Sequence, residues 1–359
     1  MKKIISLFSL FLFVLLIVGC SNERKLYILN VGDYMDDSLV RDFEEQFNCT
    51  VVYTEVNSNE GIYQKIKNES YDILVTSDYM TEKLYKEDLI QKIDFSRLPN
   101  YSFDKLFTSA QNLIDTQCST YKDYFIPYFW GTVGILYRTD VEGLEDYVFE
   151  KGLEALFENN DYNKGMYNSA RDALCMALMV LGEDINTDDE AILRKGKDLI
   201  KSVSYRAWGD DNLKSLVHNG LLDLAMVYSG DYLDESYQCE IDGEEVDFAY
   251  FAPERTNIWV DGLVITKDSK NVDLAYEFLN FMQDPEVQAQ NSDFIGYCPL
   301  NEEVYNIMFD PEGDYQYDYE EELFKPRGDS FGQERVLYRY LSDQHYLLLN
   351  DLLEESKSK

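Results

Sequence analysis

From Lys25 onward the chain alternates between two hydrophobic periods, and that alternation is the strongest constraint on its fold. Residues 26–31 form a short apolar run closed by Gly32, and residues 38–47 then carry Leu39, Phe43 and Phe47 at helical spacing. Residues 51–55 are β-branched, and a helix through Ile62, Tyr63 and Ile66 follows with Ser58 as its N-cap. Residues 72–75 read as a strand again and residues 80–86 as a helix. A β-α-β-α-β series of this kind predicts an α/β fold whose parallel sheet is covered by helices.

The pattern changes further along. Residues 124–128 and 132–137 predict two strands separated by Trp130-Gly131 at a crossing point. Residues 170–181, 189–203 and 213–219 predict helices, followed by a buried strand over 222–228. Strands are expected over 248–251 and 263–266, on either side of 257–261, with helices over 272–283, 285–291 and 334–355. No repeat, flexible linker or low-complexity stretch interrupts the 359 residues. Two α/β blocks without a flexible joint imply two lobes joined by more than one crossing strand, with a cleft between them. The expected division is 26–131 plus 254–304 as the first lobe and 132–253 plus 305–359 as the second.

The N-terminus speaks to location. Met1-Lys2-Lys3 is followed by an apolar run and by Ile17-Val18-Gly19-Cys20, so residues 1–19 read as a secretory signal peptide. A cysteine directly after the cleavage site resembles the lipobox of bacterial lipoproteins, which implies acylation of Cys20 and anchoring at the extracytoplasmic face of the cell membrane. The formal net charge of −36 repels nucleic acid and anionic lipid and draws small cations. Cys49, Cys118, Cys175, Cys239 and Cys298 show no C-x-x-C spacing; they read as small buried hydrophobes, and their pairing is left open.

The carboxyl ends of the expected strands carry distinctive residues. They are Asn30-Val31-Gly32-Asp33-Tyr34, Thr76-Ser77-Asp78-Tyr79 and Tyr228-Ser229-Gly230-Asp231, with Trp259, Asp261 and Gly296-Tyr297 where the chain returns. Aromatic faces interleaved with carboxylates suit an organic ammonium: a ring face attracts the cation by about 0.5–2 kcal/mol, and a carboxylate adds a charge-assisted hydrogen bond. An elongated diamine needs such partners at both ends and rings between them.

At these positions the chain resembles the polyamine-binding proteins of ABC importers, the spermidine and putrescine receptors of the type II periplasmic-binding-protein fold. The likeness runs from Leu26 to the terminal helix. It rests on Leu26-Tyr27-Ile28-Leu29-Asn30, Ser58-Asn59-Glu60 with Tyr63, Tyr71-Asp72-Ile73-Leu74-Val75, Leu89-Ile90-Gln91-Lys92-Ile93-Asp94, Ile126-Pro127-Tyr128-Phe129-Trp130-Gly131, Trp259-Val260-Asp261 and Ile295-Gly296-Tyr297. The resemblance implies a ligand shell of Asp33, Tyr34, Ser77, Tyr79, Ser169, Asp172, Tyr228, Asp231, Trp259, Asp261, Tyr297 and Gln333. In it Asp261 anchors an amine, Trp259 and Tyr228 sandwich the carbon chain, and Asp172 or Asp231 meets another nitrogen. The implied partners are a membrane permease and its ATPase, and the implied state is a monomer without cofactor or metal.

This sequence departs from the family pattern at Val31-Gly32, where an aromatic and a hydroxyl are usual, at Ser169 in place of an acid, and at Tyr228 in place of a Trp. Those departures leave room for another ligand, such as a different cationic amine, a ferric ion or an anion, although no Arg is expected among the tyrosines. Enzymatic alternatives are weaker. His218 and His345 are the only histidines and lie far apart in sequence, and the G-x-S-x-G, H-E-x-x-H, Walker and G-x-G-x-x-G patterns are missing.

Overall fold

The computed structural model describes residues 24–32, 34–315 and 335–358; the expected site residues Asp33 and Gln333 and the expected lipidation site Cys20 lie outside them. β1 (Lys25–Val31) pairs in parallel with both β2 (Thr50–Val56) and β3 (Ile73–Ser77). Helices Asp37–Phe47 and Asn59–Ile66 make the crossovers, each started by a side chain that accepts from the first turn. Asp36 accepts from the Ser38 N–H, and Ser58 accepts from the Gly61 N–H at 3.1 Å. The first helix ends at Asn48, in the left-handed region at φ 47°.

The remaining strands are β4 (Ile126–Arg138), β5 (Lys164–Tyr167), β6 (Ala207–Gly209), β7 (Leu224–Tyr228), β8 (Phe248–Phe251), β9 (Thr256–Ile265), β10 (Cys298–Pro299) and β11 (Arg335–Val336). They extend the sheet in the order β2-β1-β3-β9-β4-β7-β5-β6, with β8 and β10 also on β4 and β11 on β9. Two expectations are corrected here. β4 is one strand of 13 residues, not two. It pairs antiparallel with β9 from Ile126 to Thr132 and changes partner at Val133, which pairs with Tyr228 of β7. The only break is a register irregularity between Pro127, which has no N–H to give the ladder, and Trp130. β9 is likewise continuous through residues 257–261, which were expected to separate two strands. Asn257 hides there as a buried polar residue whose amide donates to the Ile258 and Val336 carbonyls, both at 2.9 Å.

Three apolar clusters form the cores. Two lie in the first lobe, one built around Leu29, Leu74 and Val264 and the other around Ile28, Ile73 and Phe278. The third fills the second lobe around Val133, Met226 and helix Ala170–Val180. Helix Glu302–Met308 packs Val304 and Met308 into the first-lobe core, so that lobe reaches past residue 304. The terminal helix starts at Asp343, not at residue 334, because Arg335 and Val336 pair with Thr256 and Asn257 of β9 and Ser342 caps the helix. Cys49, Cys118, Cys175 and Cys239 are free thiols, and the Cys298 thiol donates to the Pro299 carbonyl at 3.2 Å. Among the described residues no helix is long and apolar enough to cross a membrane.

Asp72 ties the first-lobe sheet to the helix Val272–Phe281. Its buried carboxylate accepts from the Tyr27 N–H at 2.9 Å, the Ser269 hydroxyl at 2.7 Å, the Lys270 N–H at 3.1 Å and the Asn271 N–H at 3.2 Å. Asp72→Ala strands these donors together, so it should lower unfolding free energy by about 3 kcal/mol in a urea melt. A loss below about 1 kcal/mol would show that water replaces the carboxylate.

Candidate ligand site between the lobes

The crossing strands bring the expected residues together. Ser77, the last residue of β3, is the register partner of Asp261 in β9, and two residues away Trp259 is the partner of Gly131 in β4. Tyr228, at the end of β7, faces Val133 just beyond the crossing. Rings then follow one another from lobe to lobe. Tyr34 packs edge-on against Tyr128 at 5.5 Å and Tyr297 at 5.9 Å, Tyr297 against Trp259 at 5.0 Å, Trp259 against Tyr228 at 6.3 Å, and Tyr228 against Tyr167 at 5.3 Å. Tyr297 of the first lobe lies so close to Gly230 of the second that a Cβ there would stand 2.3 Å from its ring. The two lobes therefore touch across the row.

Carboxyl groups flank the row at both ends. In the first lobe Asp261 keeps some exposed surface, yet its carboxyl is desolvated enough to be pushed up to about 7, with only the Tyr34 hydroxyl drawing it down. Asp78, wholly in the interior, is pushed up to about 8 by burial and then by the charge of Asp261, although it accepts from the Tyr79 N–H at 2.5 Å and the Val260 N–H at 3.2 Å. The Tyr34 phenol is raised well above its usual range by burial and by Asp261. In the second lobe one oxygen of buried Asp172 accepts from the hydroxyls of Tyr228 and Tyr338, both at 2.9 Å. Asp231 is pushed up to about 7 by burial, but it already accepts from the Tyr228 N–H at 2.8 Å and has the Lys214 ammonium 3.5 Å away. Ser169 caps the helix Ala170–Val180 by accepting from the Asp172 N–H at 3.4 Å, and so holds Asp172 at its place.

Sequence reasoning missed several neighbours. Asp78 stood within the strand end Thr76-Ser77-Asp78-Tyr79 but was not among the expected ligand residues. Tyr338 fell inside the expected terminal helix over 334–355 and was not read as a site residue. The expectation that no Arg joins the tyrosines is wrong, since the buried Arg171 guanidinium lies 3.9 Å from the centre of the Tyr79 ring. Its hydroxyl-bearing partner Tyr79 donates to Glu60 at 3.3 Å. The Trp259 indole N–H is buried and has no hydrogen-bond partner among the described residues; the Ser77 and Tyr34 hydroxyls also lack one at good geometry, although they lie beside Tyr79 and Asp261. At Gly32, φ +57°, no described atom comes within 4 Å of where a Cβ would be.

A two-lobed α/β chain with rings and carboxyls gathered at its strand crossing has known counterparts. Residues 38–319 match the family model of the bacterial extracellular solute-binding proteins. The chain belongs to that family. This solute-binding protein is 30% identical over 292 residues to the spermidine/putrescine-binding periplasmic protein of Escherichia coli K12, covering 78% of each chain. It superposes on a putative spermidine/putrescine ABC transporter structure from Listeria monocytogenes with a TM-score of 0.76 at 30% identity, covering 94% of this chain and 99% of that one. The spermidine/putrescine substrate-binding protein PotD of Streptococcus pneumoniae follows at 0.73 and 26%, covering 93% and 99%. The fold of this solute-binding protein is accordingly the type II periplasmic-binding-protein fold.

Carboxyl titration followed by NMR tests the electrostatics. Asp261 and Asp78 should titrate near 7 and 8, far above the surface acids, and Asp261→Asn should lower the Asp78 value because it removes the second-largest cause of its shift. An unmoved Asp78 in that variant would mean burial alone sets its value.

Proposed function

We propose that this chain captures a linear polyamine, putrescine or spermidine, between its lobes and delivers it to an ABC permease and its ATPase. The observation that carries this reading is the pair of desolvated first-lobe carboxyls, Asp261 and Asp78, standing at one end of a row of aromatic rings that runs into the second lobe. An ammonium at Asp261 supplies the positive charge that carboxyl lacks, Trp259 and Tyr228 cover the methylenes, and Tyr34, Tyr79 and Tyr297 line the slot. Ser77 adds a hydroxyl. At the far end Asp172 is the better second anchor, since Asp231 already has the Lys214 ammonium 3.5 Å away. Asp33 and Gln333 complete the shell by their resemblance to the family positions, and Ser169 acts through Asp172. The polyamine-binding names of the relatives support the ligand class.

Capture proceeds by lobe closure about β4 and β9, with helix Glu302–Met308 moving as part of the first lobe. Both lobes contact the ligand, so it binds the closed form better and shifts the hinge toward it. Catalysis has no part in this reading, nor do a cofactor or nucleic acid. The receptor works as a monomer held at the extracytoplasmic face of the membrane by a lipid on Cys20.

Calorimetric titration with putrescine, spermidine, spermine and a neutral diol of matching length tests the reading. An amine should bind one to one and the diol should not; heat from none of the amines would overturn the ligand class. Asp261→Asn should weaken amine binding at least tenfold, about 1.4 kcal/mol.

The pH dependence has a definite sign. A carboxyl whose folded value is raised contributes stability that is present below about 4 and lost as pH rises through 7 to 8, while the ammonium binds its ionised form. Affinity should therefore rise from pH 6 to 8 and level off above. A flat profile would remove Asp261 and Asp78 from the contact.

A further inference from the structure

A second cluster lies in the second lobe, away from the aromatic row. His218 ends helix Asn212–His218, Glu235 and Cys239 lie one turn apart on helix Ser229–Asp242, and Glu244 follows Gly243, where that helix stops. The buried Glu235 carboxylate is 2.8 Å from His218 Nδ1 and accepts from the Ser215 hydroxyl at 2.9 Å. It therefore holds the ring with Nδ1 protonated and turns the lone pair of Nε2 the other way. That nitrogen faces a Glu244 oxygen at 3.1 Å, and the buried Cys239 sulfur lies beside the ring, 3.6 Å from Nδ1 and 3.8 Å from Nε2. Two acceptors so close are held together by a proton or by a metal ion.

We propose that His218, Cys239 and Glu244 bind a thiophilic divalent ion of the zinc class, with Glu235 orienting the imidazole. Tetrahedral zinc with bonds near 2.0 Å to nitrogen and oxygen and 2.3 Å to sulfur needs ligand atoms about 3.3–3.6 Å apart. The Nε2–Glu244 pair at 3.1 Å is close to that range and all three residues offer a donor atom within 4.8 Å of the others, and the Cys239 side chain turns toward Nε2 on binding. A carboxylate behind the ligating ring is the usual outer support of such sites. On binding, the Cys239 thiol gives its proton to solvent and the ion takes the thiolate. Water completes the fourth position. The sulfur selects against calcium and magnesium, which take oxygen ligands.

The purified, chelator-stripped full chain titrated with Zn2+ and with Co2+ tests this. One Zn2+ should bind and raise the melting temperature, and Co2+ should develop thiolate-to-metal absorption. Cys239→Ser should abolish that absorption, and His218→Ala and the exposed-site variant Glu244→Gln should each weaken Zn2+ binding at least tenfold. If His218→Ala does not fold, Glu244→Gln carries the same comparison. Co2+ uptake without the thiolate band, wild-type affinity in Glu244→Gln, or no uptake at all would overturn the site and leave a protonated His218 between two carboxylates.

Discussion

The antiparallel pairing of β4 with β9 is the constraint on which the rest of this structure depends. Both strands continue from one lobe into the other, so they fix the approach of the two sheets and also carry Trp259 and Asp261. At the crossing Gly131 pairs with Trp259, and a Cβ on it would stand 2.5 Å from the indole ring. The missing side chain is what lets Trp259 lie over the crossing between Tyr228 and Tyr297. Site and hinge are thus the same piece of backbone. Tyr228 is tied to Val133 and Asp261 to Ser77, so any change in the twist of β4 between those pairs alters the spacing of contacts drawn from the two lobes.

Electrostatics adds a direction to that mechanical link. Most of the described acidic residues are solvated or paired at the surface, where a pair is worth little. The buried ones differ in what opposes them. Lys214 stands beside Asp231, and Arg171 lies between the Tyr79 ring and the Tyr338 ring, so the second lobe brings its own cations. Asp261 has burial against it and a single hydroxyl in its favour. Removing an ionised carboxylate from water without a partner costs several kcal/mol, and an opposite charge that arrives as the lobes meet offsets this cost in the closed form only. The Asp261 carboxyl, with no cation of its own, therefore makes closure sensitive to a cation.

Much of this was legible in the sequence for an identifiable reason. Strands β1 to β3 and their helices obey strict periods and carry their own caps, Asp36 and Ser58, so their bounds were readable to within about two residues. β4 and β9 were read as broken because Gly131, Asn257 and Asp261 look like interruptions in a chain with no partner in view; in the fold each is buried in the ladder or faces the slot. The terminal helix was extended too far because the pairing of Arg335 with Thr256 is set by a strand nearly eighty residues away. Within the site, residues on strand ends were found, since a strand end with a ring or an acid is a local signal. Arg171 and Tyr338 were missed because their place depends on how the two lobes meet.

Helix Ser229–Asp242 shows how two sites on one element need not be coupled. Its first turn presents Gly230 to Tyr297 and Asp231 to Lys214, while its last presents Cys239 to His218. At about 1.5 Å per residue, roughly 12 Å separate the ends that matter. A ligand between the lobes contacts both of them and so distinguishes open from closed. An ion at His218, Cys239 and Glu244 contacts groups of the second lobe only, which move together in either state. It has no differential affinity for the two forms, and an effector of that kind shifts nothing between them however tightly it binds. Its effect falls on the stability of the second lobe, and the choice of ligand stays with the residues at the crossing.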